Sequence, residues 1–136
     1  MRMCSVMQPT YLPWAGYFNL IEKSDVFVFL DDTQFQKNSW HNRNRLLVSQ
    51  KPHWLTVPVK HNTLMQTIKE TEIDITKHWR KKHSKLLQQT YSTHPFSEDM
   101  LCVCSEIEKD NITHLAELNI NLILWILEKL DIKTEM

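Results

Sequence analysis

Glycine is nearly missing from this sequence. Gly16 is the single glycine among 136 residues, whereas about 7% is usual in proteins. The glycine-rich loops of P-loop proteins and of dinucleotide-binding folds need several glycines at fixed spacing, so both loops are excluded. The same scarcity predicts that Gly16 lies where a ligand or another segment approaches the backbone closely.

Long apolar runs are also missing. The N-terminal segment has no apolar run of the roughly 7–15 residues that a signal peptide contains, and Pro9 and Pro13 interrupt it. The most apolar stretch, residues 120–130, is broken by Asn121, Glu128 and Lys129 and is shorter than the ~18 residues of a membrane span. We therefore expect a cytoplasmic protein without a membrane span.

Cysteines are few and odd in number. Cys102 and Cys104 are separated by one residue, and Cys4 lies far from both. A C-x-C pair is a poor disulfide and at most half of a metal site. We therefore expect three reduced, buried thiols and no zinc site.

Charge is balanced overall but unevenly distributed. Sixteen basic residues offset 16 acidic ones, yet residues 37–85 hold eleven Lys/Arg against three acids, together with five of the seven histidines. A basic middle favours an anionic ligand such as a phosphate or nucleotide, although a solvated basic face is the commoner cause. The overall neutrality argues against nucleic acid as a partner.

The hydrophobic pattern predicts an α/β domain that begins with a βαβ unit. Strands over residues 3–7 and 26–30 flank a short helix over residues 17–23, and strands connected in this way are parallel. Because the second strand is apolar without alternation, we expect it to be buried on both faces. The other predicted elements are a hairpin over residues 45–48 and 53–60 with its turn near residues 50–52 and Pro58 in an edge strand, and helices over residues 76–91, 97–109 and 113–130. The last helix has more apolar surface than one stripe needs, so it is either central to the core or covered by a further segment.

The loop after the first strand is the first candidate site. It leads into a helix whose first backbone N–H groups are unpaired, which is a natural place for an anion. The alternative is a proline-stiffened loop whose aromatic rings cover the core. The candidate ligand-binding residues are Gln8, Tyr11, Trp14, Gly16 and Tyr17.

Asp31 and Asp32 follow the second strand directly. Ligands of open α/β sheets bind at the carboxyl ends of the strands, so we treat both as catalytic candidates. One of them could act as a general base, as a ligand of Mg²⁺ or as a hydroxyl anchor. The alternative is a turn at the end of the strand, where Asp is common.

Two further groups combine basic, amide and aromatic side chains. His41 is a catalytic candidate, within a run of Asn and Arg suited to binding carboxylate or phosphate; the alternative is a polar surface loop. Trp79 and His83 are spaced i, i+4 on one helix face and are the last ligand-binding candidates. The candidates in the run of Asn and Arg are His41, Asn42, Arg43, Asn44 and Arg45.

Four stretches in order resemble the WbqC-like family: QPTYLPWAGYFNLI (8–21), SDVFVFLDDTQFQKNSWHNRNRL (24–46), WLTVPV (54–59) and WRKKH (79–83). The resemblance implies a bacterial protein encoded among genes for surface polysaccharides such as O-antigen. Since members of the family are longer, it implies a single, truncated or divergent domain over residues 1–136, with a site region over 1–60 and a helical part over 76–130. A weaker likeness in the strand–loop–helix–strand order points to a Rossmann-like fold of the nucleotidyltransferase (HUP-like) type.

The resemblance implies a transferase that adds an acyl or aminoacyl group to a nucleotide-linked amino sugar. In that interpretation Asp31 or Asp32 and His41 are the acid–base residues, Arg43 and Arg45 hold phosphate, and Gln8, Tyr11 and Trp14 line the pocket. Two alternatives remain open. The chain could be a non-catalytic module that binds a nucleotide sugar or a partner enzyme, or a nucleotidyltransferase-like enzyme.

Overall fold

The structure, a computed structural model that describes residues 1–136, begins with a parallel βαβ unit. Strand β1 (Cys4–Met7), helix α1 (Ala15–Glu22) and strand β2 (Val26–Phe29) follow one another along the chain. The two strands pair in parallel, with Cys4 opposite Val26 and Met7 opposite Phe29. The predicted α/β class and its parallel start are confirmed.

The sheet of β1 and β2 is covered on one face only. Phe27 and Phe29 pack against Tyr17 and Ile21 of α1, whereas Val28 on the other face is 42% exposed. The prediction that β2 is buried on both faces is therefore wrong, because α1 and α4 pack on the Phe27 side and Val6 and Val28 on the other side are exposed. At the edge of β2 the backbone N–H of Phe27 donates to Glu135 O at 2.8 Å.

A two-residue hairpin follows. Strands β3 (Arg43–Val48) and β4 (Lys51–Thr56) pair antiparallel, and Ser49 and Gln50 between them both have positive φ. Positive φ at both positions is the geometry of a type I′ turn, whose twist matches that of a hairpin. The hairpin is confirmed. Its turn lies about two residues earlier than predicted, and Pro58 lies beyond β4 rather than in an edge strand.

Three helices complete the fold: α2 (Trp79–Tyr91), α3 (Ser97–Glu108) and α4 (Leu115–Lys129). Two of them begin two or three residues later than predicted. Thr76 and Thr113 lie outside these helices: the Thr76 hydroxyl donates to Asp74 Oδ1 at 2.6 Å, and the Thr113 hydroxyl is 3.1 Å from His114 Nδ1. None of the helices has the length and apolarity needed to cross a bilayer.

Helix α4 lies between two hydrophobic clusters. Leu118 and Leu122 belong to the larger cluster with α2, α3 and the hairpin, whereas Ile123 and Leu127 belong to the smaller one with α1 and β2. Serving two clusters requires apolar residues on two faces, which explains the excess of apolar surface in this helix.

The three cysteines are free, as expected, but only Cys104 is buried. Cys4 lies on the uncovered face of the sheet, and Cys102 is on the solvent side of α3. The prediction of three buried thiols is therefore wrong for these two.

Candidate functional site

A cavity of about 480 Å³ opens between the loop after β1 and the segment before β3. The two segments are joined by the backbone N–H of Tyr11, which donates to Trp40 O at 3.0 Å. The wall of the cavity consists of Met7, Gln8, Thr10, Pro13, Trp14, Tyr17, Gln36, Ser39, Trp40, His41 and Asn44. Five of these residues were predicted site residues, so the structure brings part of the first group and part of the Asn/Arg run together.

The hydrogen bonds of Gln8 fix its side chain in the cavity wall. Its amide oxygen lies 2.8 Å from His41 Nε2, and its amide nitrogen donates to Thr33 Oγ1 at 2.9 Å. The backbone N–H of Gln36 donates to His41 Nδ1 at 3.3 Å. Because Nδ1 accepts and burial lowers the pKa of His41 below its ordinary value, the ring is neutral and Nε2–H donates to Gln8. Neutral His41 therefore orients Gln8.

Aromatic rings form the other side of the cavity. The phenol of Tyr17 donates to Gln8 O at 3.0 Å, and burial raises the pKa of Tyr17, so it stays protonated. Trp14 stands at the rim and is 72% exposed. A Cβ at Gly16 would overlap the Trp14 indole, so the group that approaches Gly16 closely is this side chain rather than a ligand or another backbone.

Three asparagines fix the backbone of the site loops: Asn42 and Asn119 are buried and Asn44 is half-buried. Asn44 Nδ2 donates to Leu12 O at 2.5 Å and so holds Leu12 in its positive-φ conformation. Asn119 Nδ2, on α4, donates to His41 O at 2.8 Å and to Pro9 O at 3.3 Å. Asn42 Nδ2 donates to Val57 O at 2.9 Å. These amides are structural supports, not cavity donors.

The family model described as the WbqC-like protein family matches residues 8–136, a range that begins at Gln8 of the cavity. The chain belongs to the WbqC-like family. This family is associated with polysaccharide biosynthesis in general.

Rv1507c of Mycobacterium tuberculosis (strain ATCC 25618 / H37Rv), described as an uncharacterized protein, is 38% identical over 138 residues. The match covers 100% of this WbqC-like chain and 59% of that relative, so the chain spans about three fifths of the relative's length. No solved structure matches the chain.

Three predicted ligand-binding residues of the WbqC-like chain lie in its core, outside the cavity wall. The Tyr11 hydroxyl bonds to His83 Nδ1 at 2.8 Å, and Trp79 packs edge-on against the Tyr11 ring. Burial lowers the pKa of His83 to about 4, although a backbone hydrogen bond with Thr56 acts in the opposite direction. This trio joins the site loop to α2.

Asp31 and Asp32 are not part of the cavity wall. The backbone oxygen of Asp31 accepts from the N–H of Lys69 at 2.8 Å, and Asp32 is exposed. Thr33, the next residue, is the one that contacts Gln8. No third His, Cys, Asp or Glu converges with this pair to complete a metal cluster.

Arg43 and Arg45 lie on the outward face of the hairpin with two tryptophans. The guanidinium of Arg43 is 4.0 Å from the Trp54 ring centroid, and that of Arg45 is 5.5 Å from Trp54 and 5.8 Å from Trp40. The Trp40 and Trp54 ring centroids are 5.9 Å apart. We call Trp40, Arg43, Arg45 and Trp54 the hairpin platform.

Sequence reasoning missed several residues of this region. Thr33, Gln36 and Asn119 were not singled out, because their roles depend on contacts between segments far apart in the chain. Trp54 was part of a family-like stretch but was not assigned to the site. Its place beside Arg45 follows from the observed hairpin register, and the predicted turn, about two residues too late, did not give this pairing.

Proposed function

We propose that this chain binds the sugar of a nucleotide-linked amino sugar in its cavity and transfers an acyl or aminoacyl group to it during surface-polysaccharide biosynthesis. The observation that carries the proposal is the composition of the cavity wall. Trp14 and Trp40 offer exposed indole rings, while Gln8 and Ser39 offer neutral polar groups. Such a wall suits a ring with apolar C–H faces and hydroxyl or amide substituents.

Size supports the same ligand class. Pockets for small molecules typically enclose about 300–1,000 Å³ and are apolar with a few placed polar groups. The cavity of about 480 Å³ lies in this range. Its position at the carboxyl end of β1, at the start of a βαβ unit, agrees with the Rossmann-like nucleotide-binding arrangement that is part of the proposal.

The transfer requires a base for the sugar amine. When the amine nitrogen attacks the carbonyl carbon of an activated acyl donor, the carrier leaves and the amine releases one proton. His41 is the titratable histidine in the wall, but both of its ring nitrogens are already hydrogen-bonded. We propose that His41 accepts the proton when the ligand replaces one of these partners, with Asp31 or Asp32 as the alternative base.

A non-catalytic binding module is the second candidate. It is favoured by one observation: His41 is the only histidine in the wall, and both of its ring nitrogens are hydrogen-bonded without a ligand. Under this alternative the chain holds the nucleotide sugar for a partner enzyme.

Calorimetric titration with a panel of nucleotide-linked amino sugars and the corresponding neutral sugars tests the proposal. We expect binding to the wild type and a loss of at least tenfold in Gln8→Ala, whereas Gln89→Ala, on the exposed side of α2, binds normally. The proposal would be contradicted if the wild type bound no member of the panel, or if Gln8→Ala and Gln89→Ala bound equally well. Mass spectrometry of the bound sugar with activated acyl donors then separates the two candidates, since only the transferase yields an acylated product.

A further inference from the structure

The hairpin platform is continuous with the cavity. Trp40 belongs to both, since it lines the cavity and stands 5.9 Å from Trp54. Arg45 and Trp54 face each other across the β3–β4 pairing and therefore lie on the same side of the hairpin. A ligand that fills the cavity and extends past Trp40 reaches this platform.

The aromatic surface of the platform is open to solvent. Trp40 is 50% and Trp54 47% exposed, and neither indole belongs to a hydrophobic cluster. Exposed aromatic faces of this kind are used to stack bases, since every nucleobase has a π-face.

The charge of the platform is uncompensated. Neither Arg43 nor Arg45 takes part in any of the five ion pairs of the chain, so no carboxylate neutralises either guanidinium. A guanidinium that stacks on an indole uses its face and leaves its in-plane N–H groups for an anion. These N–H groups match the paired oxygens of a phosphate.

We propose that the hairpin platform binds the nucleoside diphosphate half of the ligand, with the base stacked on Trp54 and the diphosphate held by Arg43 and Arg45. The sugar then passes Trp40 into the cavity. This inference rests on the proposed function, and it adds Trp54 as a binding residue and an order for the parts of the ligand. A nucleoside diphosphate fits better than an acidic sugar, because the platform pairs an aromatic stacking surface with two cations.

The test separates the two halves of the ligand. Calorimetric titrations use uridine diphosphate, inorganic pyrophosphate and a neutral N-acetylated amino sugar as probes, at fixed ionic strength. Trp54→Ala should weaken uridine diphosphate at least tenfold and pyrophosphate much less, because Arg45 still contacts Trp40, whereas Arg45→Gln should weaken both. Leu47→Ala, on the same exposed face, is the matched control, and circular dichroism verifies that each variant is folded.

The outcomes distinguish this inference from the proposed function. If the amino sugar binds in a Gln8-dependent manner but uridine diphosphate does not bind, the platform inference is overturned and the proposed function stands. If uridine diphosphate binds in a Trp54-dependent manner and no sugar binds, the platform inference stands and the proposed function is overturned. Equal effects of Trp54→Ala and Leu47→Ala, or tighter binding of an acidic sugar than of uridine diphosphate, also overturn the inference.

Discussion

Gly16 has no space for a side chain because the Trp14 indole occupies the position where a Cβ would stand. Gly16 lies in the first turn of α1, where alanine would form the helix better by about 1 kcal/mol. Glycine at this position therefore leaves room for the Trp14 ring at the cavity rim, and it makes the helix less stable than alanine would.

This arrangement predicts a separation of stability from binding. In Gly16→Ala the exposed indole swings away, so the free energy of unfolding in urea should stay the same or rise by up to about 1 kcal/mol. Affinity for a nucleotide sugar that binds the wild type should fall to the level of Trp14→Ala. Ala15→Gly is the control, which should lose stability but keep affinity. A loss of several kcal/mol in Gly16→Ala would mean that the ring cannot move.

His83 predicts a dependence of stability on pH. Its pKa is about 4 in the folded chain against an ordinary value of 6.5, so between these values the unfolded chain binds more protons. Stability from this group is present above pH 6.5 and is lost as the pH falls towards 4, by about 2 kcal/mol between pH 7 and pH 5. Burial shifts the pKa of His41 in the same direction.

Urea unfolding at pH 7 and pH 5 measures this effect. His83→Gln should be less stable than the wild type at pH 7 but should lose clearly less stability on acidification. The exposed His53→Gln should follow the wild type. If all three proteins lost the same amount, titration of buried His83 would not be the cause.

Residues within short segments could be predicted from the sequence better than residues brought together by the fold. Gln8, Trp14 and Tyr17 belong to one short segment, the loop after β1 and the first turn of α1, whose prolines and glycine already indicate an unusual backbone, and all three line the cavity. Tyr11 lies in the same loop but turns into the core. A tyrosine that bonds to a histidine can belong to a core or to a binding site, and the sequence looks the same in both cases. Sequence reasoning therefore could not tell whether Tyr11 and His83 bind a ligand or support the core.

At the scale of elements, the hairpin turn carries avoidable strain. Ser49 and Gln50 have φ of 48° and 63°, a region that side chains disfavour by roughly 1–2 kcal/mol. Gln50→Gly should therefore raise the free energy of unfolding by about 1 kcal/mol, measured by urea unfolding. Gln89→Gly, within helix α2, is the opposite control and should lower it by about 1 kcal/mol. A destabilised Gln50→Gly variant would contradict the type I′ assignment.

The order and type of the elements followed from the sequence, but their surroundings did not. Periodicity located both strands, the hairpin and the helices to within a few residues. The uncovered face of β2 was not predictable, because an uninterrupted apolar strand predicts cover on both sides regardless of whether a second layer exists. Here no second layer covers that face, and Val6 and Val28 are exposed on it.

At the scale of the whole molecule, one side chain of α4 connects the two halves of the cavity wall. Asn119 is fully buried, and its amide nitrogen reaches Pro9 O and His41 O, 110 and 78 residues away in sequence. Nothing local distinguishes Asn119 from Asn121 on the same helix, which explains why sequence reasoning passed over it.

Removing this amide should therefore affect stability and site geometry together. Asn119→Ala leaves two buried backbone oxygens without a donor, at about 1–3 kcal/mol for each such group, so we expect a loss of about 3 kcal/mol in urea unfolding. Asn121→Ala, a matched change two positions away with no hydrogen bond to either loop, should lose less than about 1 kcal/mol. Any ligand of the cavity should also bind Asn119→Ala more weakly under conditions where the variant is fully folded. The reason is that Pro9 is next to Gln8 in the chain and His41 is hydrogen-bonded to Gln8, so a shift of either backbone moves the Gln8 side chain. Equal losses in the two variants would show that α4 supports the site through apolar packing alone.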